Sequence, residues 1–273
     1  MSAAAGSSAA AGSGETGDGE TPLETEALEV RAGSRLLIDA LTIAVRRGEF
    51  LAVLGRNGTG KTLLLHTLAG LRVPAAGILR LLGQPLAARP RREVAMALAL
   101  LPQDVEAMPG ATVLEAVMTG RYAHQGPWSA DDPQDRRLAL DSLARLGIAE
   151  LAGRELATLS GGEQRRAGAA ATLAQQASVV LLDEPTNHLD PHHQIAVLEV
   201  FAAHARGGGS VVASLHDPTL AARYADRVLL LHGDGRWQCG PQERLLNAGE
   251  LSALYLTPIM ALQDGPRRIF AAA

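Results

Sequence analysis

The chain has 273 residues, 47% of them hydrophobic and 20% charged, which suits one large domain with an insertion or two modest ones and excludes disorder throughout. A net charge of −4 leaves no basic footprint, so DNA or RNA is not expected as the main partner. The single cysteine, Cys239, can form neither an internal disulfide nor a zinc site alone and fits a reducing compartment.

Residues 1–24 are almost wholly Ala, Ser, Gly, Glu, Thr and Asp, with no positive charge before Arg31. This composition fits neither a secretory signal nor a transit peptide, and the expectation is a disordered acidic tail ahead of a domain over 25–273. No apolar run approaches the roughly 20 residues needed to cross a bilayer. Leu28–Arg31 and Leu41–Val45, separated by Gly33 and Ser34, read as antiparallel strands.

Phe50–Leu54 reads as a buried strand that runs into Gly55-Arg56-Asn57-Gly58-Thr59-Gly60-Lys61-Thr62, which fits G-x-x-x-x-G-K-[ST]. Glycines there let backbone N–H groups turn inward onto phosphate oxygens, and the helix that follows aims its N-terminus at the same anion. Lys61 is the only lysine among the 25 lysines and arginines. A compact ammonium fits between terminal phosphates where a planar guanidinium fork does not. The competing reading is a glycine-rich turn with an incidental lysine; strand, spacing and helix together argue against it.

A helix over Lys61–Leu71 packs Leu63, Leu64, Leu65 and Leu68 inward, and His66 within it is a core or surface histidine rather than a ligand. Ile78–Leu82 is a strand, and Arg89-Pro90-Arg91-Arg92 reads as a solvated loop. After the apolar Val94–Leu101 and Pro102-Gln103 the composition turns helical, over Thr112–Gly120 and Pro133–Leu146. This is an inserted helical subdomain over about 104–176. Its residues 104–125 include Val105, Met108, Val113, Val117 and Tyr122, either the lobe's own core or a surface for a partner.

The chain returns through Leu159-Ser160-Gly161-Gly162-Glu163 into a helix to about 175, then Val179–Asp183, a continuous apolar strand of the parallel-sheet kind. Asp183 and Glu184 emerge at its C-terminal end, where open α/β sheets bind ligands. An aspartate there holds Mg²⁺ with the P-loop hydroxyl, here Thr62, which leaves Glu184 to polarise water. Ser160 and Glu163 form a capping box, but that does not explain two glycines, which suit a second phosphate site. One chain cannot easily put two such helix ends on one nucleotide; two copies facing each other can. Asp190-Pro191 and Asp217-Pro218 open two more helices, with strands at Ser210–Ser214 and Val228–Leu231. The fold class is α/β, with a mostly parallel sheet covered on both faces.

In order along the chain, Gly55–Thr62, Gln103, Leu159–Gln164, Val179–Glu184, Asn187–Asp190 and His216 resemble the nucleotide-binding subunit of ATP-binding cassette (ABC) transporters, over about residues 25–260. The resemblance implies a P-loop NTPase fold with a mostly parallel central sheet, an N-terminal antiparallel β region and the helical subdomain. It implies ATP and Mg²⁺ as cofactors and a head-to-tail homodimer. Two ATP molecules lie between Gly55, Arg56, Asn57, Gly58, Thr59, Gly60, Lys61 and Thr62 of one copy and Ser160, Gly161, Gly162 and Glu163 of the other, with Asp190 bridging the subunits. By it Thr62, Gln103 and Asp183 serve the metal, and Glu184, His216 and Gln103 serve catalysis. The resemblance further implies integral-membrane permease subunits and a solute-binding protein as partners, and a place at the cytoplasmic face of the inner membrane.

Two departures from the family pattern stand out. No aromatic residue precedes Phe50 where the family stacks adenine, with Arg31 near that place, and Glu163 replaces a common glutamine. The glutamate, Thr112-Val113-Leu114, Thr119-Gly120-Arg121-Tyr122 and Leu251–Ile259 are similar to ATPases of vitamin B12, ferric siderophore or haem uptake. The alternative, a non-transport ABC ATPase acting on nucleic acid or ribosomes, usually carries heptad arms, zinc cysteines or two cassettes, none of which is present. An unrelated P-loop kinase would leave Ser160–Gln164 and His216 unexplained.

Overall fold

The computed structural model describes residues 21–104, 109–126, 132–265 and 267–273. Strands β1 (Leu23–Ala32) and β2 (Arg35–Val45) form a hairpin, and β3 (Phe50–Leu54) leads through the P-loop into α1 (Lys61–Leu68). Next come β4 (Ala76–Leu81), β5 (Gln84–Pro85), α2 (Arg91–Ala97) and β6 (Leu98–Leu101). A helical lobe follows, of α3 (Val113–Met118), α4 (Pro133–Arg145) and α5 (Gly161–Ala174). The chain then alternates β7 (Val179–Asp183), α6 (Pro191–Arg206), β8 (Ser210–Ser214), α7 (Pro218–Tyr224) and β9 (Arg227–Leu231). It ends in β10 (Trp237–Pro241), α8 (Gln242–Leu245), α9 (Ala248–Tyr255) and a hairpin of β11 (Ile259–Asp264) and β12 (Arg267–Ala272).

The central sheet has the order β10-β9-β3-β8-β7-β6 and is parallel except for β10, which runs antiparallel to β9. Alternation along each strand sends side chains to two cores. Phe50, Ala52 and Leu54 of β3, with Val180 and Leu182 of β7, face the core shared with α5, α6 and the lobe. Leu51 and Val53, with Val179 and Leu181, face α1 and the four-stranded antiparallel sheet β2-β1-β4-β5. Burial on both faces is why β3, β7 and β8 are apolar without alternation. Among the described residues no helix is long and apolar enough to cross a membrane.

Several expectations need correction. Strand β1 starts at Leu23, so Leu23 and Glu24 belong to the sheet and not to a tail; residues 1–20 lie outside the described residues. The basic stretch Arg89–Arg92 is solvated at Pro90, Arg91 and Arg92 but is not all loop: Arg91 opens α2, Arg89 Nε donates to Leu81 O (3.1 Å), and Arg92 Nε donates to Ala123 O (2.8 Å). Val113 and Val117 are fully buried in the lobe's core, whereas Tyr122 is 63% exposed. Val105 and Met108 lie outside the described residues.

Candidate nucleotide site

Strand β3 delivers the P-loop to the C-terminal edge of the sheet between β8 and β9, and β7 delivers Asp183 and Glu184 one strand further on. Gly60 turns the loop into α1 with φ 102°, a left-handed conformation that disfavours any residue with a Cβ. A Cβ on Gly55 would lie 2.6 Å from Leu231 O, so the loop can pass that close to β9 only as glycine. Lys61 is 5% exposed, and its Nζ donates to Gly55 O at 2.9 Å and Arg56 O at 3.4 Å. Burial pulls its pKa down, opposed by the negative charges of Glu184 and Asp183.

A cleft of about 560 Å³ runs from Ala32 and Leu37 past Asn57, Gly58, Gly60, Lys61 and Thr62 to Gln103, Glu184, Asn187 and His216. Asp183 lies beside it, fully buried. Its Oδ1 accepts from Ser214 Oγ at 2.7 Å, while Oδ2 is buried and has no partner among the described residues. Glu184 holds φ 50°, a left-handed conformation that costs of order 1–3 kcal/mol for a non-glycine residue. Its contacts hold it there: the Glu184 N–H donates to Ser214 Oγ (2.8 Å), Asn187 Nδ2 donates to Oε2, and His216 Nε2 lies 2.5 Å from Oε1.

The segment Ser160–Glu163 does not enter this cleft. It opens a separate groove of about 430 Å³ with Arg166, His188, Leu189, Asp190 and His193. The capping box is formed: Glu163 Oε2 accepts from the Ser160 N–H at 2.8 Å, and those bonds hold the Glu163 carboxyl below its usual range. Asp190 caps α6, accepting from the His193 N–H at 2.9 Å. The structure thus gathers the P-loop, Gln103, Asp183, Glu184 and His216 at one site, and Ser160, Gly161, Gly162, Glu163 and Asp190 at another.

Two residues of the first site escaped sequence reasoning. Ser214 looks like any small strand residue, and only the pairing of Asp183 with Ser214 across β7 and β8 puts its hydroxyl between the two carboxylate residues. Arg165, 4% exposed, donates from Nη2 to Asp183 O and from Nη1 to Pro102 O and to Gln103 O, the last at 3.0 Å. Burial pulls its guanidinium down to about 10, so it stays charged at neutral pH.

The ABC transporter family model matches residues 38–187. The hemin import ATP-binding protein HmuV of Streptomyces coelicolor is 41% identical over 235 residues, 85% of this chain and 82% of that one. The petrobactin import ATP-binding protein FpuD of Bacillus anthracis is 37% identical over 82% of this chain and 83% of its own length. Among solved structures, a metal-chelate type ABC transporter in an inward-facing conformation superposes with a TM-score of 0.80 at 27% identity, over 93% of this chain and 98% of that chain. These likenesses favour transport over the nucleic-acid or ribosome alternative. Motif order, fold and similarity converge, and the chain belongs to the ABC transporter family as an ATP-binding subunit, an ATPase coupled to transport.

Proposed function

We propose that the chain is the ATPase of an importer of a metal chelate such as haem, a ferric siderophore or cobalamin. It works as a homodimer on the cytoplasmic face of the inner membrane, with integral-membrane permease subunits and a solute-binding protein that delivers the cargo. The relatives' hemin and petrobactin import names support the cargo class. The observation that carries the mechanism is the separation of the two half-sites: the Ser160 groove shares no lining residue with the P-loop cleft. A second copy, turned head to tail, brings Ser160, Gly161, Gly162 and Glu163 onto the nucleotide held by Gly55–Thr62, with Asp190 at the junction.

The residues present fit Mg²⁺. Mg²⁺ is held by one or two carboxylates together with substrate phosphate oxygens and water, a demand that a single buried carboxylate meets. Asp183 Oδ2, buried and unpartnered, supplies the carboxylate, with the Thr62 hydroxyl and Gln103 completing the protein side. When bound, Mg²⁺ neutralises charge that develops between the terminal phosphates. Lys61 leaves the Gly55 and Arg56 carbonyls to grip those phosphates. Glu184 orients the attacking water and draws its proton toward a carboxylate fixed by Asn187 and His216, and His216 also reaches the γ-phosphate.

Glu184→Gln preserves shape and removes the charge, so kcat should fall about 10²–10⁴-fold while ATP binding persists. The trapped protein should sediment as a dimer in MgATP. A monomer carrying bound MgATP would contradict the two-copy site.

A further inference from the structure

Arg165 is nearly inaccessible, and no step of the proposed hydrolysis needs it. It lies one helical turn after Gly161, on the helix whose N-terminus opens the Ser160 groove. Its guanidinium collects the carbonyls of Pro102 and Gln103, just past β6, and of Asp183, at the end of β7. Three acceptors from two strand ends therefore meet on one side chain from a third element. A planar fork with five N–H donors can span them, and an ammonium cannot. Two of the three residues also serve the cleft: Gln103 lines it, and Asp183 is the carboxylate with the unpartnered oxygen. Leaving buried carbonyls without donors is unfavourable, so α5 cannot shift without carrying both strand ends with it.

We propose that Arg165 is a positioning residue that joins the two half-sites within one chain. When the Ser160 groove closes on the partner's nucleotide, the displacement of α5 passes through the guanidinium to Gln103 and Asp183 and sets the geometry in which this chain hydrolyses its own nucleotide. This rests on the two-copy reading above.

The test uses the full-length protein and steady-state hydrolysis across MgATP concentrations. Arg165→Gln should lower kcat about tenfold, leave KM within about threefold and bring the Hill coefficient toward 1, the scale of coupling through a packed network. Arg165→Lys should behave alike, because it keeps the charge but not the reach; it also serves if Arg165→Gln does not fold. In a double-mutant cycle, Arg165→Gln should cost less on a Gln103→Ala background than in the wild type, since part of its effect passes through Gln103. Wild-type kcat and cooperativity in the Arg165 variants would overturn the proposal, as would independent, multiplying effects in the cycle. So would loss of ATP binding in both variants, which marks a purely structural clamp. A wild type that hydrolyses ATP without cooperativity would overturn the two-copy reading itself, whereas a cooperative wild type with equally cooperative variants overturns only the role of Arg165.

Discussion

At the end of β8 one hydroxyl serves two acidic residues at once. Ser214 Oγ donates to Asp183 Oδ1 and accepts the N–H of Glu184, so it both aims the proposed metal-binding carboxylate and steadies the left-handed turn that presents the proposed base. Ser214 and Asp183 are both fully buried. Ser214→Ala should therefore lower stability by about 1–3 kcal/mol, the usual penalty for an orphaned buried polar group. It should also weaken Mg²⁺ binding to the ATP complex about 10–100-fold, as for other groups that orient a metal ligand. Calorimetric titration with Mg²⁺ and a thermal melt measure the two effects, and unchanged metal affinity would reduce Ser214 to a packing role. The sequence announces Asp183 and Glu184 because an apolar strand ends in them. It is silent on Ser214 and Arg165 because their meaning lies in register and in burial, neither of which local composition encodes.

Among the elements, the helices of the lobe are held to one another by a buried ion pair. Arg121 Nε donates to Asp135 Oδ1 at 2.8 Å, both side chains under a tenth exposed, and Arg121 Nη1 donates to Ala174 O at 2.8 Å. One guanidinium thus ties the end of α3 to the first turn of α4 and the last turn of α5. Arg121→Met leaves the Asp135 charge uncompensated and should destabilise the protein by about 3–5 kcal/mol, whereas Arg121→Met with Asp135→Leu should regain most of it. Urea unfolding of the two variants decides; equal losses would mean that the hydrogen bond to Ala174 dominates. The lobe's first two helices were legible from composition, and the structure shows what starts them: Thr112 and Asp132 are N-caps and Pro133 is pre-set for the first turn. Helix α2 was not. Its Arg-Pro-Arg-Arg start has the composition of a loop, and Val94–Leu101 merges its last turn with β6 into a single apolar run whose period cannot separate helix from strand. The elements after β9 carry short, mostly half-exposed patterns, and their pairing is fixed by distant partners: the N–H of Phe270 in β12 donates to Thr219 Oγ1 of α7.

Across the whole molecule the sheet places the nucleotide cleft, and the lobe packs beside it. A groove of about 260 Å³ lies between them, lined by Leu100, Pro102, Ala116, Thr119, Gly120 and Ala171, and it reaches the backbone just before Gln103. Val113 and Val117 close the lobe's own core, so they are not part of a docking face. Tyr122, 63% exposed, is joined to the groove by its N–H, which donates to Thr119 O at 3.1 Å. An aromatic side chain left in water beside a groove that reaches Pro102, next to Gln103, is well placed to receive a short helix of the permease. Tyr122→Glu adds a charge where that helix would bury apolar surface, at a side chain that is itself mostly exposed. The variant should therefore fold with an unchanged melting temperature and keep its basal ATP hydrolysis as a purified subunit. Assembled with its permease in vesicles, it should lose most cargo uptake and most stimulation of hydrolysis by cargo. Uptake at the wild-type rate would remove Tyr122 from the coupling surface, and a fall in basal hydrolysis or melting temperature would return it to the core of the lobe.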